Sequence, residues 1–409
     1  MSDREILRGL ASRHYQYACS DENRENMLRH KRVNDLNGDR PIVLINEIPW
    51  QEMNANGELT LRCEDKQLQT AEQFFRRENF KWEHMRADMV LRPFFSVEKQ
   101  ISSTGNGVDV IYDDGGVHGG TVKCHTFQTQ FKTVEDLEKL HFETIAYNEA
   151  ATLRQYEMLG ELLGDTIPVK ITGVESGYET AFKIWDDISR YMSLDEILYG
   201  LIDNPDFMHG LAQRLTEIQL DVYRQYDEMG LWECGAFYNH STAALTDELA
   251  DNWEHPTRQN VWGRGIAQIF STVSPDMQDE FDIFYQQKAL AGFGLVYYGC
   301  CEPLHRKLHV VEKIPNLRKI SITPWADVDV AAEIIGNRYV VASKPNPSLL
   351  SGGKLDEDAV RSELRRIIAA CKRNGCSCDM TLKDITTVGG NPENLFRWEQ
   401  IAMEMVRNY

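Results

Sequence analysis

The stretch GFGLVYYGCCEPLHRKLH, residues 292–309, sets Cys300, Cys301, Glu302 and His305 directly after an apolar run. Thiolate, carboxylate and imidazole are ligand types that zinc takes, and three of them with an open fourth position make a catalytic site. The plainer reading is two small thiols buried as hydrophobes, with a solvated glutamate beside them. Adjacent strand residues point to opposite faces, so both thiols approach one point only where the strand ends and the chain bends. His240, closing CGAFYNH, is the partner expected from a neighbouring strand end, against the alternative of a hydrogen-bonded structural histidine. The expected metal set is Cys300, Cys301, Glu302 and His240.

Other polar residues also end apolar runs. Glu47 follows PIVLIN, where a carboxylate faces either a pocket or an ion-pair partner; Lys383 and Asp384 close CSCDMTLKD as an ion pair or as part of a site. Glu47, Asp384 and His240 are the candidates for acid–base work. Tyr298, Trp325, Asn239 and Lys344 are the candidates for holding a flat organic substrate. CKRNGCSC has knuckle-like spacing at Cys371, Cys376 and Cys378. It falls, however, between a helix end and a strand start, the end of such folds where residues serve stability. DDGGVHGG lacks the ending of a phosphate loop. Asp113, Asp114 and His118 would meet a ligand only if that segment covered the site.

Elements that position these residues follow from the apolar patterning. From about residue 135 onward, continuous apolar strands alternate with amphipathic helices, the mark of a parallel sheet covered on both faces. TVEDLEKLHFETIAYNEAATLRQYEMLGELLGD reads as one long helix, GIAQIFST as a strand reaching Ser271, and SPDMQDEFDIFYQQKALAG as a helix capped by Ser274 with Pro275 at its first position. About eight strand candidates favour an α/β fold of the (β/α)₈ TIM-barrel type, one domain over 1–409. A helical extension (1–40) and a β-rich hairpin insertion (94–135) near the barrel mouth complete it. No G-x-G-x-x-G follows the first strand, which disfavours a dinucleotide fold.

Composition bounds the function classes. The 409 residues are 42% hydrophobic and 26% charged, ample for a large core. A net charge of −19 argues against nucleic acid and anionic membrane surfaces. No run approaches the ~18 apolar residues of a membrane span, and the charged first residues carry no apolar signal segment. Nine cysteines, an odd number over a long chain, suit free thiols or ligands in a reducing compartment, so the expected location is cytoplasmic.

The ordered set FKTVEDLEKL, DEILYGLIDNPDFMHGLAQRLTEI, FSTVSPDMQDEF, YYGCCEPL and GGNPENLFRW resembles the uroporphyrinogen decarboxylase superfamily of (β/α)₈ barrels over about residues 135–409. That resemblance implies either cofactor-free decarboxylation or zinc-dependent methyl transfer involving corrinoid proteins. The decarboxylases carry an Arg-rich N-terminal motif, and nothing like it follows LINEIPW. In the methyltransferase branch a cysteine at the end of the strand matching LVYYGC is a zinc ligand, a role that falls to Cys300. The chain departs from that branch in having Tyr298-Gly299-Cys300 where His-x-Cys is usual, and no cysteine in DITTVGGNPENL. The expectation is a corrinoid-dependent methyltransferase using zinc on a small, methoxyaromatic-like substrate. The alternative is a metal-free decarboxylase or lyase. Expected partners are the substrate and a corrinoid protein, with a homodimer allowed.

Overall fold

A computed structural model describes residues 2–114 and 125–409. In chain order the strands are β1 Ile42–Ile45, β2 Phe95–Glu98, β3 Ile101–Ser103, β4 Tyr112–Asp114, β5 His125–Phe127, β6 Ile145–Tyr147 and β7 Val169–Thr172. They continue with β8 Tyr238–Asn239, β9 Thr242–Ala243, β10 Trp262–Gly265, β11 Leu295–Tyr298, β12 Leu317–Ile322, β13 Val340–Ser343 and β14 Cys378–Leu382. Six of them form a parallel sheet in the order β1-β14-β13-β12-β11-β10, so the first strand lies beside the last. β2 runs parallel to β7, and single parallel bridges join Val174 to Trp232 and Phe182 to Gly265. The fold is mixed α/β.

Strands buried along their whole length, such as Ile42–Ile45 and Cys378–Leu382, need cover on both faces. Alternation along β11 divides the layers. Val296 and Tyr298 join the large core with Ile320, Val341, Met380 and the helix residue Trp398, whereas Leu295 and Tyr297 join a smaller cluster with Trp262, Ala236 and Ala342. Helices Asp3–Ala18 and Asp21–Asn34 open the chain, each capped by a serine. Among the described residues no helix is long and apolar enough to cross a membrane.

Two stretches differ from their sequence patterns. The long helix expected after Thr133 divides into a 3₁₀ turn Val134–Lys139, the strand β6 and the helix Glu149–Leu163, whose Asn148 side chain accepts the Ala151 N–H. The strand expected at GIAQIFST lies earlier, at Trp262–Gly265. Gln268–Thr272 is a 3₁₀ turn because the Asp186 carboxylate accepts the N–H groups of Gln268 and Ile269, so Ser271 does not end a strand. The antiparallel pairs β3–β6 and β4–β5 fall within or just beyond 94–135. His118 of that segment lies outside the described residues, and Asp113 accepts from Gln128.

Candidate functional site

β11 gives way to Gly299 at φ 98, where an added Cβ would lie 2.7 Å from Leu304 Cδ1. Only glycine makes this turn cheaply, and it carries the chain from Tyr298 into a buried Cys300 followed by an exposed Cys301. The Cys300 backbone is held from three sides. Its N–H donates to Glu302 Oε2 at 3.0 Å, and its carbonyl accepts from Ser321 Oγ at 2.8 Å and from Lys344 Nζ at 2.5 Å. Its sulfur lies 3.6 Å from Cys301 Sγ and 3.7 Å from His240 Nε2.

His240 sits in the turn between β8 and β9. Its Nε2 is 3.3 Å from Lys383 Nζ, just past β14, and that ammonium also reaches Asp384 Oδ2 at 3.0 Å and Glu47 Oε2 at 3.2 Å. Ser241 Oγ donates to Glu47 Oε1 at 2.8 Å, and the Asp384 N–H donates to Glu47 Oε2 at 3.2 Å. Glu47, His240, Ser241 and Asp384 have φ of 51, 42, 70 and 55°. Left-handed backbone costs a side-chain-bearing residue about 1–2 kcal/mol. Four such residues in one hydrogen-bonded cluster are strain of the kind that collects at functional sites.

Charge concentrates on the thiol. A hydrogen bond with Cys301 pushes Cys300 down to about 3 against the opposing effect of burial, and His240, Lys344 and Arg264 lower it further. The same contact pushes Cys301 up. Burial lowers the His240 imidazole, with Arg264 and Lys383 adding to the effect. Burial also lowers Lys344, against the pull of the Cys300 charge. Lys383 goes the other way: burial opposes its charge, but Cys300, Glu47 and Asp384 outweigh it and raise it. The site is a thiolate ringed by Arg264, Lys344 and Lys383, with two carboxylates at its rim.

Of the residues singled out from sequence, the structure brings together Cys300, Cys301, His240, Glu47, Lys383, Asp384 and Lys344. Asn239 is adjacent and buried, with neither amide atom hydrogen-bonded. Glu302 spends Oε2 on the Cys300 N–H and keeps Oε1 buried without a partner. Tyr298 is not brought here: its hydroxyl, on the opposite face of β11, donates to Asp282 Oδ2 at 2.5 Å and accepts from Gln278 at 2.7 Å. Trp325 is 70% exposed and lines a surface cleft with Ser271, His305 and Arg366. Cys371, Cys376 and Cys378 are buried in the large core.

Arg264 was missed. It is 1% exposed, donates to the Gly299 carbonyl at 3.2 Å, and lies 4.8 Å from the centre of the Tyr297 ring. The signal was an arginine inside the apolar run VWGRGIA, since a charge there is almost never buried without a partner or a task. Among the described residues, one group of three metal-ligating side chains lies within mutual reach, Glu58, Glu83 and His84, on the helix Lys66–His84 and the loop before it. Cys300 touches Cys301 and His240 singly, and these do not close into such a triad.

No family model matches this chain, and no curated protein matches it. Among solved structures, a methyltransferase from Methanosarcina mazei is similar with a TM-score of 0.51, over 93% of this chain and 98% of that one, at 13% sequence identity. At that identity the likeness is one of fold.

Proposed function

We propose that the chain is a methyltransferase acting on a small methylated molecule, with a corrinoid on a partner protein as acceptor, and that its strands close into a (β/α)₈ barrel. The observation that carries the reading is the Cys300 thiolate, held at a strand end against His240 and reached from the exposed side through Cys301 and the half-exposed Glu47 and Asp384. Likeness in fold to a methyltransferase supports it. Barrel closure is supported by β1 beside β14 and by the parallel bridges that carry pairing beyond β10.

The donor set fits zinc in chemistry and along two edges. With Zn–S bonds of about 2.3 Å and Zn–N bonds of about 2.0–2.1 Å, tetrahedral ligands stand roughly 3.5–3.8 Å apart, close to the 3.6 Å from Cys300 to Cys301 and the 3.7 Å to His240. The third edge, Cys301 to His240, is open, and closing it would require the exposed Cys301 side chain to turn. Bound zinc would supply Lewis-acid stabilisation of the leaving heteroatom. Cys300, Cys301 and His240 would hold it, while Glu47 and Asp384, fixed by Lys383, orient the substrate and hold a proton at its rim. Lys344 holds the Cys300 carbonyl, keeping the thiolate in place.

The second reading, a metal-free lyase, has its own observation: three cations around one thiolate stabilise an anion without a metal. Metal analysis of the purified chain and Cys300→Ala separates the two. About one zinc per chain, lost in the variant, supports methyl transfer, and a corrinoid acceptor assay follows. A wild-type chain that stays metal-free after zinc resupply overturns the zinc mechanism in favour of the lyase.

A further inference from the structure

A cavity of about 900 Å³ is lined by the helix Lys66–His84, the helix Glu149–Leu163 and β2, with contributions from His14, Asn46 and Tyr238. Its volume is that of a small-molecule pocket, and none of Cys300, His240 or Glu47 lines it. One wall is aromatic: Phe74 and Phe95 meet edge to face at 5.4 Å, and Phe74 stands 5.6 Å from the His14 ring. The other carries a buried cation. Lys81 is 8% exposed, and its ammonium donates to Asn46 Oδ1 at 3.0 Å. Among the described residues its hydrogen-bond partner is this neutral oxygen and it makes no ion pair, although Glu78, one turn earlier, lines the same cavity. His14 is 1% exposed, with Nε2 on the Arg92 carbonyl and Nδ1 buried without a partner.

A buried ammonium without a counter-charge costs several kcal/mol unless something pairs with it. An orphaned imidazole nitrogen on a residue lining the same cavity asks for a further hydrogen bond. Both lie on a cavity large enough for one ring and walled by aromatic faces. We propose that this cavity binds a small aromatic carboxylate, its acid group on Lys81 Nζ and its ring against Phe74 and Phe95. The inference is independent of the methyl-transfer reading, since its parts are separate from the thiolate cluster. Asn46 lies between the two, accepting from Lys81 and donating to the Ser241 carbonyl at 2.7 Å.

Calorimetric titration of the full chain with benzoate and with benzamide, alike in shape and different in charge, tests it. Benzoate is expected to bind at least about tenfold more tightly, a difference of about 1.4 kcal/mol. Lys81→Met erases that preference, Lys81→Arg retains it, and Cys300→Ala binds as wild type. Benzoate binding no better than benzamide, or a preference that survives in Lys81→Met, overturns the proposal. Should Lys81→Met fail to fold, Phe74→Trp narrows the same cavity, and undiminished benzoate binding there overturns it as well.

Discussion

Cys300 Sγ and His240 Nε2 stand 3.7 Å apart, brought together from a glycine-made turn after β11 and a strained turn after β8. A thiol paired in this way, with Cys301 Sγ at 3.6 Å and its titration pushed down to about 3, stays ionised where an ordinary thiol, at about 8.5, is protonated. Ultraviolet thiolate absorbance, taken as wild type minus Cys300→Ser, is therefore expected to hold level as pH falls from about 8 to about 5. A step centred near the ordinary thiol value would sink this assignment. His240→Ala removes one of the interactions that lower the thiol and moves the step upward.

Glu47 accepts from Ser241 and the Asp384 backbone and faces the Lys383 ammonium. A carboxylate that moves a proton in the reaction contributes about 10²–10⁴-fold. Glu47→Gln keeps the shape and the acceptor toward Ser241, so kcat for the proposed methyl transfer is expected to fall by about a hundredfold or more with KM nearly unchanged. An unaltered kcat would reduce Glu47 to an ion-pair partner of Lys383.

Much of this cluster was legible because the parallel strands end on one edge; His240 joins them from the turn of the antiparallel pair β8–β9, where CGAFYNH read as a longer strand. Sorting polar residues by strand end collects Glu47, His240, Cys300, Lys344, Lys383 and Asp384 without knowing any contact. Face is a harder matter. Tyr297 and Tyr298 are identical to a pattern reader, and only the register of β11 turns one toward Arg264 and the other toward Asp282. Trp325 lies three residues past β12, far enough for the loop to carry it outward. Arg264 is hard to see in the sequence because GIAQIFST is more apolar than VWGRG, although the strand is Trp262–Gly265. The Asp186 carboxylate that turns Gln268 into a 3₁₀ segment is distant in sequence.

Lys319 and Asp379, from β12 and β14, form a fully buried pair at 2.6 Å, and the same ammonium donates to the Ala243 carbonyl. Removing one member of such a pair strands the other charge, at a cost of about 3–5 kcal/mol. Lys319→Met is expected to lose that much in urea denaturation. Lys319→Met with Asp379→Leu should recover most of it, because the stranded carboxylate is gone. A double variant as unstable as the single would show that the loss came from packing.

Asp282 belongs to a one-turn π-helical segment, Asp279–Ile283, and sits under β11 accepting from Tyr298, Gln278 and Gln286. Burial pushes its carboxyl up to about 7, although those hydrogen bonds favour the ionised form. An acid whose folded value is raised holds its proton in the folded state after the unfolded chain has released it. Folding stability therefore declines as pH rises from about 4 toward about 7, by up to about 1.4 kcal/mol per pH unit for this one proton. Asp282→Asn keeps a group that can bond Tyr298 and removes the titration. Urea midpoints measured across that window should fall with pH in wild type more steeply than in Asp282→Asn. Parallel curves for the two proteins would mean that Asp282 ionises at its ordinary value and that the Tyr298 hydroxyl is donating to a full carboxylate.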